Sequence, residues 1–80
     1  MRIYRYQLEL QQSILLKCIS IATSWPTRIL YEATFINVLN RHKVISLPIV
    51  DNDILLQWGN FLINSKMFKK LDSHRFTLIK

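Results

Sequence analysis

"FKKLDSHRFTLIK", residues Phe68 to Lys80, is the stretch that decides the fold of this chain. Apolar residues recur on both sides of residues 72–74, which indicates two short strands, 68–71 and 75–79, joined by a turn. Because the turn contains no glycine, we expect a loop of three or more residues rather than a tight primed turn. Four apolar side chains are predicted to hold this hairpin to the core: Phe68, Leu71, Phe76 and Leu78.

The same end of the chain carries much of its positive charge. The chain has 11 Lys and Arg residues against 5 Asp and Glu residues, a formal net charge of +6. Beyond residue 65 there is one acid, Asp72, and the bases, with His74 beside them, are Lys66, Lys69, Lys70, Arg75 and Lys80. Such a surface attracts polyanions, meaning nucleic acid, anionic membrane or an acidic protein, without choosing among them. The alternative is an ordinary solvated surface of a lysine-rich protein.

A helix is predicted immediately before the hairpin, from about Ile54 to Lys66. The preceding "DND", residues 51–53, is typical of a helix N-terminus. Gly59, in the middle of this helix, costs about 1 kcal/mol relative to alanine, which indicates a close neighbouring backbone or a break. The core-facing residues repeat with helical spacing: Ile54, Leu55, Trp58, Phe61 and Leu62.

Three uncharged amides, Gln57, Asn60 and Asn64, share one side of this helix. Amide side chains can pair bidentately with adenine in the major groove, while nearby lysines neutralise phosphates. The alternative is that amides and lysines only cover the solvated side of an amphipathic helix. The candidate nucleic-acid site therefore comprises the three amides together with Lys66, Lys69, Lys70, His74 and Arg75.

The first quarter of the chain is predicted to contain a strand and a helix. Alternate positions hold larger apolar side chains, namely Tyr4, Tyr6, Leu8 and Leu10. This period of two indicates a strand, although its first residues could instead extend the following helix. From Ser13, a plausible N-cap, to about Thr23 the period becomes helical, with one buried face that includes Cys18.

A second helix is predicted from Trp25 to His42, with Ser24 as its cap and Pro26 in its first turn. Its apolar residues do not keep to one stripe, which is typical of a helix that is central or shared with a partner. Three of them point away from the main face and predict a homodimer or an obligate protein partner: Leu30, Phe35 and Val38. "KVISLPIV", residues 43–50, is then predicted to be an edge strand, because proline cannot donate to a sheet ladder.

These elements predict a single α+β domain over residues 1–80, with three helices packed on a small, mostly antiparallel sheet and a C-terminal β-hairpin. Three helices that end in a basic hairpin resemble a winged helix, in which a recognition helix precedes a two-stranded wing. The resemblance rests on Asp53 to Lys80 and on the order of the elements. It implies that the third helix and the hairpin contact nucleic acid.

No residue pattern indicates catalysis, a metal or a cofactor. His42 and His74 have no regular spacing to Cys18 or to a carboxylate, and zinc needs three or four ligands. Asp51 and Asp53 stand at a helix start, where carboxylates are stabilised without a catalytic role. A single glycine excludes a glycine-rich phosphate loop. We therefore predict a protein that is not an enzyme.

The compartment follows from the cysteine count and the longest apolar run. One cysteine allows no internal disulfide, which favours a reducing cytoplasmic environment. The run from Ile14 to Trp25 is shorter than the roughly 20 residues that cross a bilayer. The sequence thus predicts a small intracellular nucleic-acid-binding regulator. The alternative is an adaptor or inhibitor that occludes a surface on a partner protein.

Overall fold

The computed structural model describes residues 2–79, with side chains described from residue 7 onward. In this part of the chain the elements are α1 (Arg2–Thr23), β1 (Ile29–Tyr31), α2 (Glu32–Arg41), α3 (Asn52–Asn64), β2 (Phe68–Asp72) and β3 (Arg75–Leu78). The strands form one antiparallel sheet in the order β1-β3-β2. The predicted α+β class, with three helices, a small antiparallel sheet and a C-terminal hairpin, is confirmed.

The core lies between the inner face of the sheet and the three helices. The rings of Phe35 on α2 and Phe76 on β3 meet edge to face, with centroids 5.8 Å apart. Burial among these apolar side chains raises the pKa of the Cys18 thiol to about 12, so the thiol stays protonated and inert. The buried residues are Ile14, Cys18, Ala22, Leu30, Phe35, Val38, Leu39, Ile45, Leu62, Phe68, Phe76 and Leu78.

The hairpin is confirmed, but its turn is tighter than predicted. Asp72 pairs with Arg75, so only Ser73 and His74 lie between the strands. The Asp72 carboxylate accepts a hydrogen bond from the His74 backbone N–H at 2.8 Å, which closes the turn without glycine. A bulge between Lys70 and Asp72 interrupts the pairing. Leu71 lies in this bulge and is 45% exposed, so its predicted role in the core is wrong, whereas the other three anchors are buried.

The third helix, predicted from about Ile54 to Lys66, spans Asn52–Asn64 and runs without a break through Gly59. Its N-cap is Asp51, whose carboxylate accepts hydrogen bonds from the backbone N–H groups of Asp53 at 2.9 Å and Ile54 at 3.3 Å. Leu62 is buried, and the other four predicted core residues are half-buried against the core. The two aspartates at residues 51–53 thus stand at the helix terminus, where capping accounts for Asp51.

The predicted strand over residues 3–10 is wrong, because α1 is one continuous helix from Arg2 to Thr23. Leu10, Ile14, Cys18 and Ala22 recur every fourth position and form one stripe against the core. Ser13 is therefore inside a helix and is not a cap. The alternation was misleading: Leu8 is 46% exposed, and the side chains of Tyr4 and Tyr6 lie outside the described residues.

The second helix starts at Glu32, seven residues later than Trp25, because residues 29–31 form β1 instead. The chain turns after α1 through hydrogen bonds of Trp25 N–H to Ala22 O and Arg28 N–H to Trp25 O, and Arg28 has φ 57°. A left-handed residue ends helical geometry at this point. The predicted roles of Ser24 and Pro26 at a helix start are therefore wrong.

Residues 42–51, between α2 and α3, form a loop rather than the predicted edge strand. Its only β-type pairing in the described residues is an isolated bridge between Ser46 and Ile49 around the cis Leu47–Pro48 bond. A winged helix also has a strand between its first two helices, as β1 is here, but joins its second and third helices by a short turn. The winged-helix description is accordingly loose.

We predict that Gly59→Ala stabilises the protein by about 0.5–1 kcal/mol, the helix propensity that alanine adds. A Cβ atom at this position would lie 3.6 Å from Cζ of Phe76, an ordinary van der Waals contact. Urea unfolding followed by circular dichroism measures the change. Leu62→Ala, which leaves a cavity in the core, is the opposite control and should cost about 2–5 kcal/mol. A loss of stability in Gly59→Ala would mean that α3 and β3 cannot accept the added methyl group.

Candidate nucleic-acid interface

The three amides of the candidate site are exposed on α3. Gln57, Asn60 and Asn64 all face solvent, and within the described residues none of them donates or accepts a side-chain hydrogen bond. Asn60 lies along a groove beside the hairpin, whereas Gln57 lies along a second groove between α3 and α1. The amide stripe is thus available to a ligand, but its members do not share one groove.

Lys69 and Lys70 point to opposite sides of the sheet, because successive residues of a strand alternate. Lys70 is on the inner side, where its Nζ lies 5.8 Å from the centroid of the Phe76 ring. Lys69 pairs in register with Thr77 on the outer side. Lys66 is exposed in the turn that leads from α3 to β2. Adjacent lysines in the sequence therefore belong to two different surfaces.

Arg75 and His74, near the hairpin tip, each lie beside a carboxylate. Arg75 Nη2 lies 2.8 Å from Asp72 Oδ2, and Arg75 Nε donates to the same oxygen at 2.9 Å. This hydrogen bond, assisted by the one from the His74 backbone, lowers the pKa of Asp72, and Asp72 in turn raises the pKa of Arg75. His74 Nδ1 lies 3.5 Å from Glu32 Oε1, and Glu32 N–H donates to His74 O at 2.8 Å.

A groove of about 260 Å³ runs between α3, the hairpin and the start of α2. Its floor is apolar, with the Phe35 and Phe76 side chains and the bare backbone of Gly59. Its rim brings Asn60 and Lys70 together, which the sequence predicted as part of one site. It also contains Glu32, a carboxylate that sequence reasoning missed because it becomes a neighbour of the hairpin only once β1 pairs with β3.

The predicted partner interface is corrected by the structure. Leu30, Phe35 and Val38 are each at most 3% exposed and belong to the protein's own core. Leu30 lies in β1 and not in α2, so it is not on any face of that helix. With α2 starting at Glu32, its buried residues form one face on the core, and none of the three is available to a partner.

The histidines and carboxylates do not assemble into a metal site. Among the described residues, no group of three or more His, Cys, Asp or Glu side chains is arranged to hold a metal ion. His42 follows α2, where its Nδ1 donates to the Val38 carbonyl at 2.9 Å. None of the helices described has the length and apolar character that crossing a membrane requires.

Comparisons with known proteins return no match to this chain among family descriptions, curated proteins or solved structures.

We predict that Asp72→Asn keeps the hairpin turn but releases Arg75, because an asparagine Oδ1 still accepts from the His74 N–H. The folded-state pKa of Asp72 is lowered, so its pairing with Arg75 is fully present above the unfolded pKa of about 3.9 and is lost as pH falls through the folded value. NMR can follow the chemical shift of the Arg75 Nε–H from pH 7 to low pH. In the wild type this shift should change only at a pH below the range in which aspartates usually titrate, and in Asp72→Asn it should not change. Asp72→Ala, the control, should also lose protection of the His74 amide. Equal protection in both variants would show that the carboxylate does not close the turn.

Proposed function

We propose that this protein is a non-enzymatic nucleic-acid-binding protein that works in the cytoplasm. Its contact region is the α3–hairpin surface, which we define as Gln57, Asn60 and Asn64 on α3 with Lys66 and Lys70 beside them. The observation that carries the proposal is that Asn60 and Lys70 line one groove while both lysines keep unbalanced charge.

The basic residues of this region differ in whether a carboxylate lies beside them. Arg75 is paired with Asp72, and His74 lies beside Glu32. In the described part of the chain, no ion pair involves Lys66, Lys69 or Lys70. With a net charge of +6, the chain attracts a polyanion, and these exposed lysines are the groups free to contact it.

The geometry favours nucleic acid over a simple acidic protein. The helix α3 has 13 residues and presents uncharged hydrogen-bonding side chains along its exposed side. The major groove of B-DNA, about 12 Å wide, admits an α-helix, and its base edges offer the donors and acceptors that amides pair with. Lysines placed beside such a helix contact phosphates and fix its register.

The ends of α3 differ in charge, which sets the orientation. Asp51 and Asp53 stand at the N-terminus, where they would repel a phosphate backbone. Lys66 follows the C-terminus, two residues after Asn64 and two before β2. We therefore place the phosphate contacts at the C-terminal half of α3 and at Lys70. Asn60, which lines the groove beside Lys70, is the side chain placed to meet the base edges.

Lys66→Ala combined with Lys70→Ala should weaken binding to all duplex sequences similarly and flatten the plot of log K against log salt. Each phosphate contact contributes a slope of about −0.9, so the pair should remove up to about 1.8. Fluorescence anisotropy on a duplex at several salt concentrations measures this. Asn60→Ala, which removes no charge, is the matched control and should leave the slope unchanged.

Lys17→Ala provides a second control, since it removes one positive charge, half of that removed by the double variant, from an exposed position on α1. A loss in Lys17→Ala half as large as that in the double variant, in log K, would mean that net charge alone, and not the α3–hairpin surface, attracts the duplex. Absence of duplex binding by the wild type at low salt would overturn the proposal.

A protein partner is the second candidate, and one observation favours it. Leu56 and Ile63 are 59% and 36% exposed and form the walls of the same groove above Phe35 and Phe76. Neighbouring apolar side chains left in solvent are typical of a surface that another protein covers. A second copy of the chain, or an obligate partner, would bury this pair in place of the residues that the sequence suggested.

If a second copy covers the groove, the wild type should be a dimer and the double variant Leu56→Gln/Ile63→Gln should be a monomer. Light scattering over a range of protein concentrations measures the mass. Leu16→Gln is the matched control, because Leu16 is 65% exposed on α1 and should have no effect. A monomeric wild type at high micromolar concentration would contradict self-association through this groove.

A further inference from the structure

The outer face of the sheet is not covered by any helix of the described chain. The side chains that point inward from the sheet are buried: Leu30 on β1, Phe68 on β2, and Phe76 and Leu78 on β3. The residues that alternate with them point outward and all remain at least partly exposed: Ile29, Tyr31, Lys69, Arg75 and Thr77. This second surface is separate from the α3–hairpin surface, because the sheet lies between them.

Tyr31 is the largest side chain on this outer face, and it is 51% exposed. It pairs in register with Arg75, and Arg75 pairs with Asp72, so the three lie in one row across the sheet. Cross-strand partners have Cβ atoms about 4.5–5.5 Å apart, so the Tyr31 and Arg75 side chains are neighbours on the outer face. The next row contains Ile29, Thr77 and Lys69.

We propose that this outer face binds single-stranded nucleic acid by stacking an unpaired base on Tyr31. The inference rests on the proposed function only in that the ligand is again nucleic acid. Aromatic rings and arginine planes on an open sheet are stacking surfaces for splayed bases, and they tolerate any sequence. Lys69, unpaired and one row away, is placed to meet the phosphate of the stacked nucleotide.

The surrounding contacts suit this role. Asp72 holds Arg75 through Nε and Nη2, which restrains the guanidinium group next to Tyr31 in the row. The face spans roughly 10 Å between its outer strands, room for very few nucleotides. Bases within a duplex are already stacked on one another, so only an unpaired base can lie on Tyr31. The position of Lys69, which the α3–hairpin surface leaves unused, is then accounted for.

The test compares Tyr31→Leu with Tyr31→Phe. Tyr31 occupies the N-cap position of α2 but makes no side-chain capping bond, so neither change removes a hydrogen bond of the fold. On labelled single strands of about ten nucleotides, oligo-dT and oligo-U, Tyr31→Leu should lose about 5- to 150-fold in affinity. Tyr31→Phe should keep wild-type affinity, and a duplex of the same length should bind all three proteins equally. In NMR spectra, the Tyr31 ring protons should shift on addition of oligo-dT.

The other outcomes separate the outer face from the α3–hairpin surface. Single-strand affinity that Tyr31→Leu retains but Lys69→Ala loses would mean that charge alone binds the strand. Duplex binding without single-strand binding would remove the outer face and leave the proposed function standing. No binding to either nucleic acid would remove both. Single-strand binding that depends on Tyr31, without any duplex binding, would support the outer face and remove the α3–hairpin surface.

Discussion

The packing of Phe76 is the contact on which the rest of the structure depends. Its strand, β3, is the centre of the sheet, and its ring meets Phe35 of α2 edge to face and lies under Gly59 of α3. Leu30 on one side and Lys70 on the other are its register partners. Two helices and all three strands are therefore positioned by one side chain. A glycine at residue 59 leaves α3 without a side chain where it crosses this ring, and that position also forms the floor of the groove.

Because successive side chains of β2 point to opposite faces of the sheet, the lysines of the hairpin lie on two different surfaces. Phe68 must point inward to reach the core, so Lys70 shares its side and Lys69 is directed outward. A one-residue slip would expose Phe68, which gives the register a strong energetic basis. The bulge before Asp72 then restores the pairing that Arg75 needs. The basic segment is consequently not one patch, and each lysine is tied to a different neighbour.

Local signals in the sequence were sufficient for α3 and the hairpin, but not for β1 or α1. Asp51 caps α3 through its own neighbours, and the strands of the hairpin are adjacent, so both could be predicted. The three residues of β1 gain their structure from β3, more than 40 residues away, and a helix pattern overlapped them. For the same reason Glu32 beside His74 could not be foreseen. The alternation at residues 3–10 also fits a helix, and continuity with the stripe from Leu10 to Ala22 decided the outcome.

The lysines of β2 also have a role that requires no ligand, and this separates them from Lys66. β2 is an edge strand, and charged side chains on an edge discourage pairing with another chain. Lys66 lies outside the strand, at φ 65°, just past the C-cap of α3. Glycine is the residue that most readily adopts this conformation at a helix end, although the helix dipole favours a cation there. Neither edge protection nor backbone geometry requires lysine at this position, so apart from its interaction with the helix dipole the charge of Lys66 is left for an anionic partner.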